Sequence, residues 1–186
     1  MQEELKTRKK ILTVATDLFS QGSYSKVTIR NVAQRADVSP GLVLYYFLSK
    51  EDLYCQIFEE FLLFLEGRLE QLKLRLEATL MDVVSCYLDL WHNNKSLLIL
   101  MHRELLAVGE SKVKKRLEFR FIRKHSELLQ VTLLNLNLCT LEQQEHYSTL
   151  VMSLSIHPFI QGYSQPSAVL CNIDALKDAY HNALTC

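Results

Sequence analysis

The chain has 186 residues, of which 48% are hydrophobic and 23% charged, with five glycines and three prolines. This length and apolar content exclude a disordered chain and suffice to bury a core of one large domain or two smaller ones. The scarcity of Gly and Pro among many Leu, Glu, Lys, Gln and Ala residues predicts an all-α fold with short loops.

Charge is distributed unevenly along this chain, although its formal net charge is zero. Residues 1–50 carry eight Lys and Arg against four Asp and Glu, which gives a net charge of +4. Residues 51–186 carry the opposite net charge, −4. A basic N-terminal segment on an acidic body favours a protein that presents one end to a polyanion such as DNA.

Several classes of protein are excluded by what the sequence lacks. The cysteines are scattered without a C-x-x-C pair, so neither a zinc site nor a disulfide framework is predicted, and no cofactor is expected. Residues 146–173 contain no Asp, Glu, Lys or Arg, but their Pro, Gly, Ser, Gln and His residues keep them below the hydropathy of a membrane span. The N-terminus lacks the apolar region of a signal peptide, so a cytoplasmic protein without membrane segments is expected.

The first two predicted helices are separated by a glycine. Apolar residues at positions 11, 15, 18 and 19 recur at helical spacing, which predicts a helix from about Glu3 to Ser20 that Gly22 ends. Thr28 is a suitable N-cap for a second, short helix, whose apolar residues at 29, 32, 33 and 36 share one side.

A tight turn separates the second and third predicted helices. Within residues 37–41, Ser39 is suited to cap the third helix, and Pro40 takes the first helical position, where its missing N–H costs nothing. Ser49 begins a fourth helix that extends to about Leu76, with Asp52 placed to complete a capping box. Further helices are predicted near 78–93, 96–108, 112–136, 141–163 and 173–184.

The first three helices are too short to bury much surface alone, so they are predicted to pack together as a helix-turn-helix unit. The predicted core of this unit consists of Ile11, Ala15, Phe19, Val32, Ala33, Val38, Val43 and Phe47.

Motifs between Arg8 and Leu53 stand in one register: Arg8-Lys-Lys-Ile-Leu, Leu18-Phe19, Gly22, Thr28-Ile-Arg-Asn-Val-Ala33, Val38-Ser39-Pro-Gly41, Tyr45-Tyr46-Phe47 and Ser49-Lys50-Glu51. With these motifs the segment resembles the N-terminal domain of the tetracycline-repressor (TetR) family of bacterial transcriptional regulators. The resemblance implies a helix-turn-helix DNA-binding domain over residues 1–50 and a helical ligand-binding and dimerisation domain over residues 51–186.

The third helix and its flanks supply the candidate DNA contacts. A helix that begins Ser39-Pro40-Gly41 offers backbone N–H groups to a phosphate, with no Gly41 side chain in the way. Tyr45 and Tyr46 follow along this helix, where phenol rings can contact thymine methyls and phosphates. Lys50 can hold a backbone phosphate. The resemblance adds Thr28 for a phosphate contact, Arg30 for a base edge, and Leu42 beside the two tyrosines on the recognition helix.

Each candidate also has a purely structural reading. Tyr45 or Tyr46 can be a packing aromatic, Thr28 and Ser39 cap helices in either case, and Lys50 can be a solvated charge. One departure from the family pattern is Leu42-Val43-Leu44, where the family commonly has a small polar residue, an aliphatic residue and Tyr. We therefore hypothesise that Arg30, the two tyrosines and a thymine-methyl contact by Leu42 read the bases.

The resemblance implies an inducer pocket and a dimer interface in the C-terminal body, the interface being formed by the last two helices, about 141–184. The uncharged stretch 146–173 favours burial against protein. Polar or aromatic residues within apolar helix stripes are pocket candidates, although each is equally compatible with a core position: Tyr87, Trp91, Met101, His102, Glu104 and His125.

These features predict a cytoplasmic, homodimeric repressor. It binds double-stranded operator DNA and is released from that DNA by a small-molecule inducer. The resemblance implies that the inducer displaces the helix beginning at Ser49, which packs on the DNA-reading unit through Leu53 and Ile57. Two alternatives stay open: a DNA-bound platform for a protein partner, and an activator. An enzyme is not expected, because the sequence contains no G-x-S-x-G, H-E-x-x-H or Gly-rich phosphate loop.

Overall fold

The computed structural model describes residues 2–75, 77–106, 112–164 and 173–184. Within these ranges the fold is all-α, as predicted, and contains no strand. Its helices are α1 (Gln2–Gln21), α2 (Ile29–Arg35), α3 (Pro40–Tyr46), α4 (Lys50–Lys73), α5 (Leu80–Asn93), α6 (Lys95–Leu106), α7 (Lys112–Leu117), a π-helical segment (Glu118–Ile122), α8 (Arg123–Asn135), α9 (Gln144–Ser164) and α10 (Ile173–Leu184).

The predicted caps fix where the short helices begin. The Thr28 hydroxyl accepts the N–H of Asn31 at 3.1 Å, and the Asn31 side chain accepts the N–H of Thr28 in return. The Ser39 hydroxyl accepts the N–H of Leu42 at 3.1 Å. Each cap satisfies a backbone donor that has no partner within its own helix, which is why two seven-residue helices are defined here.

The turn between α2 and α3 uses a residue with positive φ. Asp37 has φ 54°, a conformation that aspartate tolerates better than most residues. The N–H of Val38 then bonds the Ala33 carbonyl at 3.0 Å and closes the turn. This geometry gives α2 and α3 the helix-turn-helix arrangement that the sequence predicts.

The chain divides into two compact units. The first comprises Met1–Leu62 and Lys95–Arg123, and the second comprises Leu63–Asn94 and Lys124–Cys186. The predicted DNA-binding segment 1–50 lies within the first unit, which also contains α6, α7 and the beginning of α4. A functional boundary at residue 50 remains our proposal.

The core of the first unit contains the predicted apolar set. Seven of its eight members are buried, and Val38 is half-buried. An aromatic cluster joins this core to the start of α4, since Phe19 and Tyr54 pack edge to face with ring centroids 4.8 Å apart. Phe58, on the next turn of α4, continues the cluster to Phe121 at 5.3 Å.

The second unit is built around α5. Eight of the fourteen residues of this helix are buried, among them Tyr87 and Trp91, and it packs against both α9 and α10. Helix α8 ends at Asn135, and Asn137, two residues later, adopts φ 55°, a left-handed conformation that is common after helix ends. Sequence reasoning predicted one continuous helix over 112–136, and the π-helical turn within it is a difference that periodicity did not reveal.

Candidate DNA-binding and ligand-binding sites

Helix α3 presents one face to solvent and anchors the other in the core. Val43 and Phe47, one helical turn apart, are fully buried. On the outward side Tyr45 is 72% exposed and Leu44 is 45% exposed. Leu42 and Tyr46 are half-buried at the margins, which leaves part of each side chain accessible. The helix therefore has one face packed into the core and the opposite face accessible to solvent, a geometry that suits a recognition helix.

The other predicted DNA contacts surround this face within the first unit. Thr28, Arg30, Ser39, Pro40 and Gly41 are all exposed. The hydroxyls of Thr28 and Ser39 serve as helix caps, so their structural role is established. A Cβ added at Gly41 would have only the Ser39 hydroxyl within 4 Å, at 3.9 Å, so the backbone there is open to approach.

Lys50 has a structural role that sequence reasoning did not anticipate. Its Nζ donates to the carbonyl oxygens of Tyr24 at 2.9 Å and Val27 at 3.0 Å. The ammonium also lies 4.2 Å from the centroid of the Tyr24 ring. Lys50 thus ties the loop before α2 to the start of α4. The phosphate contact of Lys50 remains a prediction. The ammonium has a third N–H donor with which it could be made.

Two groups of ion pairs hold the first part of α4. On one side Arg8 of α1 binds Glu60 and donates to the Gln56 side-chain oxygen at 2.5 Å. On the other side Arg116 binds Glu51 at 3.1 Å.

Arg120, in the π-helical segment, adds contacts to this second group. It donates to Glu59 at 2.7 Å and lies 3.4 Å from an oxygen of Asp52, a residue only 7% exposed. The first part of α4 is therefore fixed both to α1 and to the α7 and π-helical segments.

Helix α6 is fixed to α1 by a second set of polar contacts. Arg103 donates to the carbonyl oxygens of Phe19 at 2.6 Å and Gly22 at 2.8 Å, where α1 ends. The Ser96 hydroxyl donates to Asp17 at 2.9 Å. A guanidinium on the last carbonyls of a helix satisfies acceptors that have no partner in the helix, and it complements the helix dipole.

A small, partly open cavity of about 10 Å³ lies in the first unit. Two predicted pocket residues, Met101 and Glu104, line it together with Phe58, Leu117, Phe121 and Ile122. The Tyr54 hydroxyl donates a hydrogen bond to the Glu104 carboxylate at 2.6 Å. Burial is the larger cause, and this hydrogen bond the second, of a raised pKa at Tyr54. The cavity has room for a single water molecule, so a larger ligand would have to part its walls.

Three other predicted pocket residues meet in the second unit. The Tyr87 hydroxyl lies 3.1 Å from Nε2 of His125, and the Trp91 ring lies beside that of Tyr87. Burial lowers the pKa of His125 to about 4 and raises that of Tyr87 well above its ordinary value. Both groups are consequently neutral at pH 7. His102 is half-buried on α6 in the first unit.

Two open clefts also lie in the second unit. One, of about 250 Å³, is lined by His125 and by hydroxyl-bearing residues of α8 and α9, including Ser126, Ser148 and Thr149. The other, of about 170 Å³, is lined by charged residues of α4, α5 and the segment between them, including Arg68, Arg75 and Asp89. In the part of the chain that the structure describes, no His, Cys, Asp or Glu cluster could hold a metal ion.

Comparison with known proteins gives a family match for the DNA-reading segment. The family model of the bacterial regulatory proteins of the tetR family matches residues 11–57, the region that contains α2, α3 and the start of α4. Residues 11–57 thus carry the sequence pattern of the TetR family.

Curated relatives of this chain are named as transcriptional regulators. The regulator AcrR of Shigella flexneri is 40% identical over 58 residues, which are 31% of this chain and 27% of AcrR. The probable regulator YttP of Bacillus subtilis is 25% identical over 171 residues, which are 85% of this chain and 79% of YttP. These relatives confirm that the chain is of a regulatory and not an enzymatic class.

The fold of a solved transcriptional regulator matches most of the chain. The regulator FadR of Bacillus subtilis, solved in complex with stearoyl-CoA, superposes with a TM-score of 0.71 at 16% identity and covers 91% of this chain and 95% of FadR. At this identity the likeness concerns the fold. Among the described residues, no helix is long and apolar enough to cross a membrane.

Proposed function

We propose that this TetR-family chain is a repressor that binds a palindromic operator as a homodimer and is released by a small-molecule inducer. The observation that carries the proposal is α3, whose outward face is exposed while its inward residues Val43 and Phe47 are fully buried. A helix held in this way can enter a major groove without rearrangement.

In this proposal the predicted contacts divide into two groups. Arg30, Leu42, Tyr45 and Tyr46 face base edges, while Thr28, Ser39, Pro40, Gly41 and Lys50 position the phosphate backbone. The exposure of Arg30 and Tyr45 supports the first assignment. The third N–H donor of Lys50 can make the proposed phosphate contact.

The proposed response to inducer uses contacts within the first unit. Helix α6 lines the small cavity through Met101 and Glu104, and its Arg103 holds the end of α1. A ligand that parts the walls of this cavity would displace α6 and therefore the Arg103 contact with α1. The ligand need only prefer the conformer that binds DNA weakly, and a coupling of about 1–3 kcal/mol is typical of such systems.

DNA binding is tested by fluorescence anisotropy with DNA from upstream of the protein's own gene, at two salt concentrations. We expect tight, salt-dependent binding that Tyr45→Ala weakens at least tenfold, because the exposed ring leaves the contact surface. Phe119→Ala is the matched control, since Phe119 is an aromatic residue 68% exposed outside the recognition helix. Weak binding to any DNA by all three proteins would contradict the repressor assignment.

Inducer release is tested with stearoyl-CoA as the first probe, because FadR was solved with that ligand. We expect the probe to weaken operator binding by the wild-type protein at least fivefold. Glu104→Leu, which removes the cavity's carboxylate, should change the concentration of probe required. Unchanged operator affinity at saturating probe would reject this ligand, and protection from proteolysis by the probe shows whether saturation was reached.

One observation favours the platform alternative, namely the small volume of the cavity in the first unit, about 10 Å³. A platform needs no ligand cavity, whereas a sensor needs one that opens. Crosslinking of the DNA-bound protein to a second protein, together with DNA affinity that no small molecule alters, would favour the platform over the sensor.

A further inference from the structure

The outward face of α3 contains no charged or amide side chain. Exposed positions in this helix and the following turn recur with the spacing of a single helix face, at 40, 41, 44, 45 and 48. The large side chains among them are Leu44, Tyr45 and Leu48, which are 45%, 72% and 84% exposed. Val43 and Phe47, which point the other way, are fully buried. The face is therefore aliphatic and aromatic, with a phenol hydroxyl as its only polar side-chain group among the large residues.

This chemistry restricts which base edges the helix can read. Guanine is read in the major groove by the paired donors of Arg or the ammonium of Lys, and adenine by the amide of Asn or Gln. None of these four residue types occurs in Pro40–Tyr46. An aliphatic side chain contacts the C5-methyl group of thymine, the one apolar group that the major groove displays.

Exposed positive charge in the same unit favours DNA over a protein partner. Within the first 35 residues of the first unit, six cationic side chains are exposed to solvent, namely those of Lys6, Lys9, Lys10, Lys26, Arg30 and Arg35. A short apolar face on a unit with these exposed cations is suited to a groove with a methyl-bearing floor and phosphate walls.

We propose that Leu44 and Tyr45 are specificity-determining residues that read thymine methyl groups, so that α3 selects operator half-sites by T·A pairs and not by guanine contacts. The inference rests on the proposed function, since it presupposes that this helix enters the major groove. It assigns the sequence class of the operator and adds Leu44 to the residues that sequence reasoning selected. Arg30, on α2, remains free to read a base outside the segment that α3 covers.

The experiment begins with selection of bound sites from a random duplex library by the full-length wild-type protein. In the selected half-sites we expect invariant T·A pairs in the segment that α3 protects. Each invariant thymine is then replaced by deoxyuridine, which removes the methyl group and keeps every hydrogen-bonding group. Loss of one contacted methyl should weaken binding about fourfold, the effect of one buried methylene-sized group.

A double-mutant cycle identifies the side chain that makes the contact. Leu44→Ala should weaken binding to the thymine site and should lose most of its sensitivity to deoxyuridine at the position that Leu44 contacts. Leu141→Ala is the matched control, because Leu141 is 69% exposed and lies outside α3. It should keep the full fourfold effect of deoxyuridine that the wild type shows. Circular dichroism establishes that both variants are folded.

The outcomes separate this inference from the function on which it rests. Sequence-specific binding that deoxyuridine does not change at any thymine, or a Leu44→Ala variant as sensitive as the wild type, would overturn methyl reading and leave operator binding intact. Failure to select any sequence would overturn both, and the apolar face would then be a candidate surface for a protein partner.

Discussion

At the scale of single residues, Lys50 shows how one side chain can link two elements. Its ammonium holds the carbonyl groups of Tyr24 and Val27 and lies over the Tyr24 ring. We expect Lys50→Met to lower the free energy of unfolding by about 1.5–3 kcal/mol, because two charge-assisted hydrogen bonds are lost from a half-buried site. Thermal denaturation checks this. Lys26→Met, at an exposed lysine, is the control, and an equal loss in both variants would contradict the internal role of Lys50.

The buried His125 makes the free energy of unfolding depend on pH. Burial lowers its pKa to about 4, whereas an unfolded histidine titrates near its ordinary value of 6.5. The unfolded chain therefore binds a proton in this range that the folded chain does not, and stability falls as the pH decreases from about 6.5 towards 4. Full stability from this group is present above pH 6.5.

Urea denaturation at pH 7.5 and pH 4.5 measures the effect. Relative to the wild type, His125→Leu should lose less stability between these two pH values, with a difference of up to about 3 kcal/mol from the shift in pKa. His146→Leu provides the control, because His146 is exposed. An identical pH dependence in the wild type and in His125→Leu would contradict the prediction.

At the scale of elements, Arg120 of the π-helical segment contacts carboxylates of α4. Arg120 bonds Glu59 and Asp52, and its side chain is 28% exposed. We expect Arg120→Met to destabilise the protein by about 1–2 kcal/mol, because Asp52 is a nearly buried carboxylate that loses a cationic partner.

Arg123→Met is the matched control for this prediction. Arg123 lies three residues later in the same run of helix and pairs with Glu118 at 3.8 Å, with side chains 71% and 53% exposed. Its loss should change stability by less than about 0.5 kcal/mol. Melting temperatures of the two variants provide the comparison, and a larger effect at Arg123 would show that α4 is not held through the π-helical segment.

At the scale of the whole molecule, the proposed homodimer uses the last two helices, α9 and α10. Part of the predicted range, 165–172, lies outside the described residues. In α9, Leu150 is 38% exposed in a helix without charged residues from His146 onward. We expect the wild type to have twice the 21.6 kDa mass of one chain in light scattering, and Leu150→Lys to be monomeric because a lysine would be buried without a partner.

Leu141→Lys controls for an added charge, since Leu141 is 69% exposed before α9 begins. It should remain dimeric. A monomeric wild type, or a dimeric Leu150→Lys, would contradict the proposed interface. The monomeric variant should also lose affinity for a two-half-site operator more than for a single half-site, because two-fold binding is lost.

The helices and their caps follow from the order of the amino acids alone. Thr28 and Ser39 act where the sequence predicts, because capping depends on residues within a few positions along the chain. The family resemblance was also readable from the sequence, since the motifs of the helix-turn-helix lie within about fifty residues and the family model matches residues 11–57.

Contacts between residues far apart in the sequence became visible only in the folded structure. Arg103 reaches the carbonyl of Phe19 across 84 positions, and Tyr87 reaches His125 across 38. Neither pairing leaves a periodic signal, because hydrophobic spacing reports which face of a helix is buried and not what it is buried against. The π-helical turn was hidden for the same reason, since one extra residue per turn changes local hydrogen bonding while the apolar pattern continues. Local chemistry therefore specified the recognition helix, and packing specified what holds it.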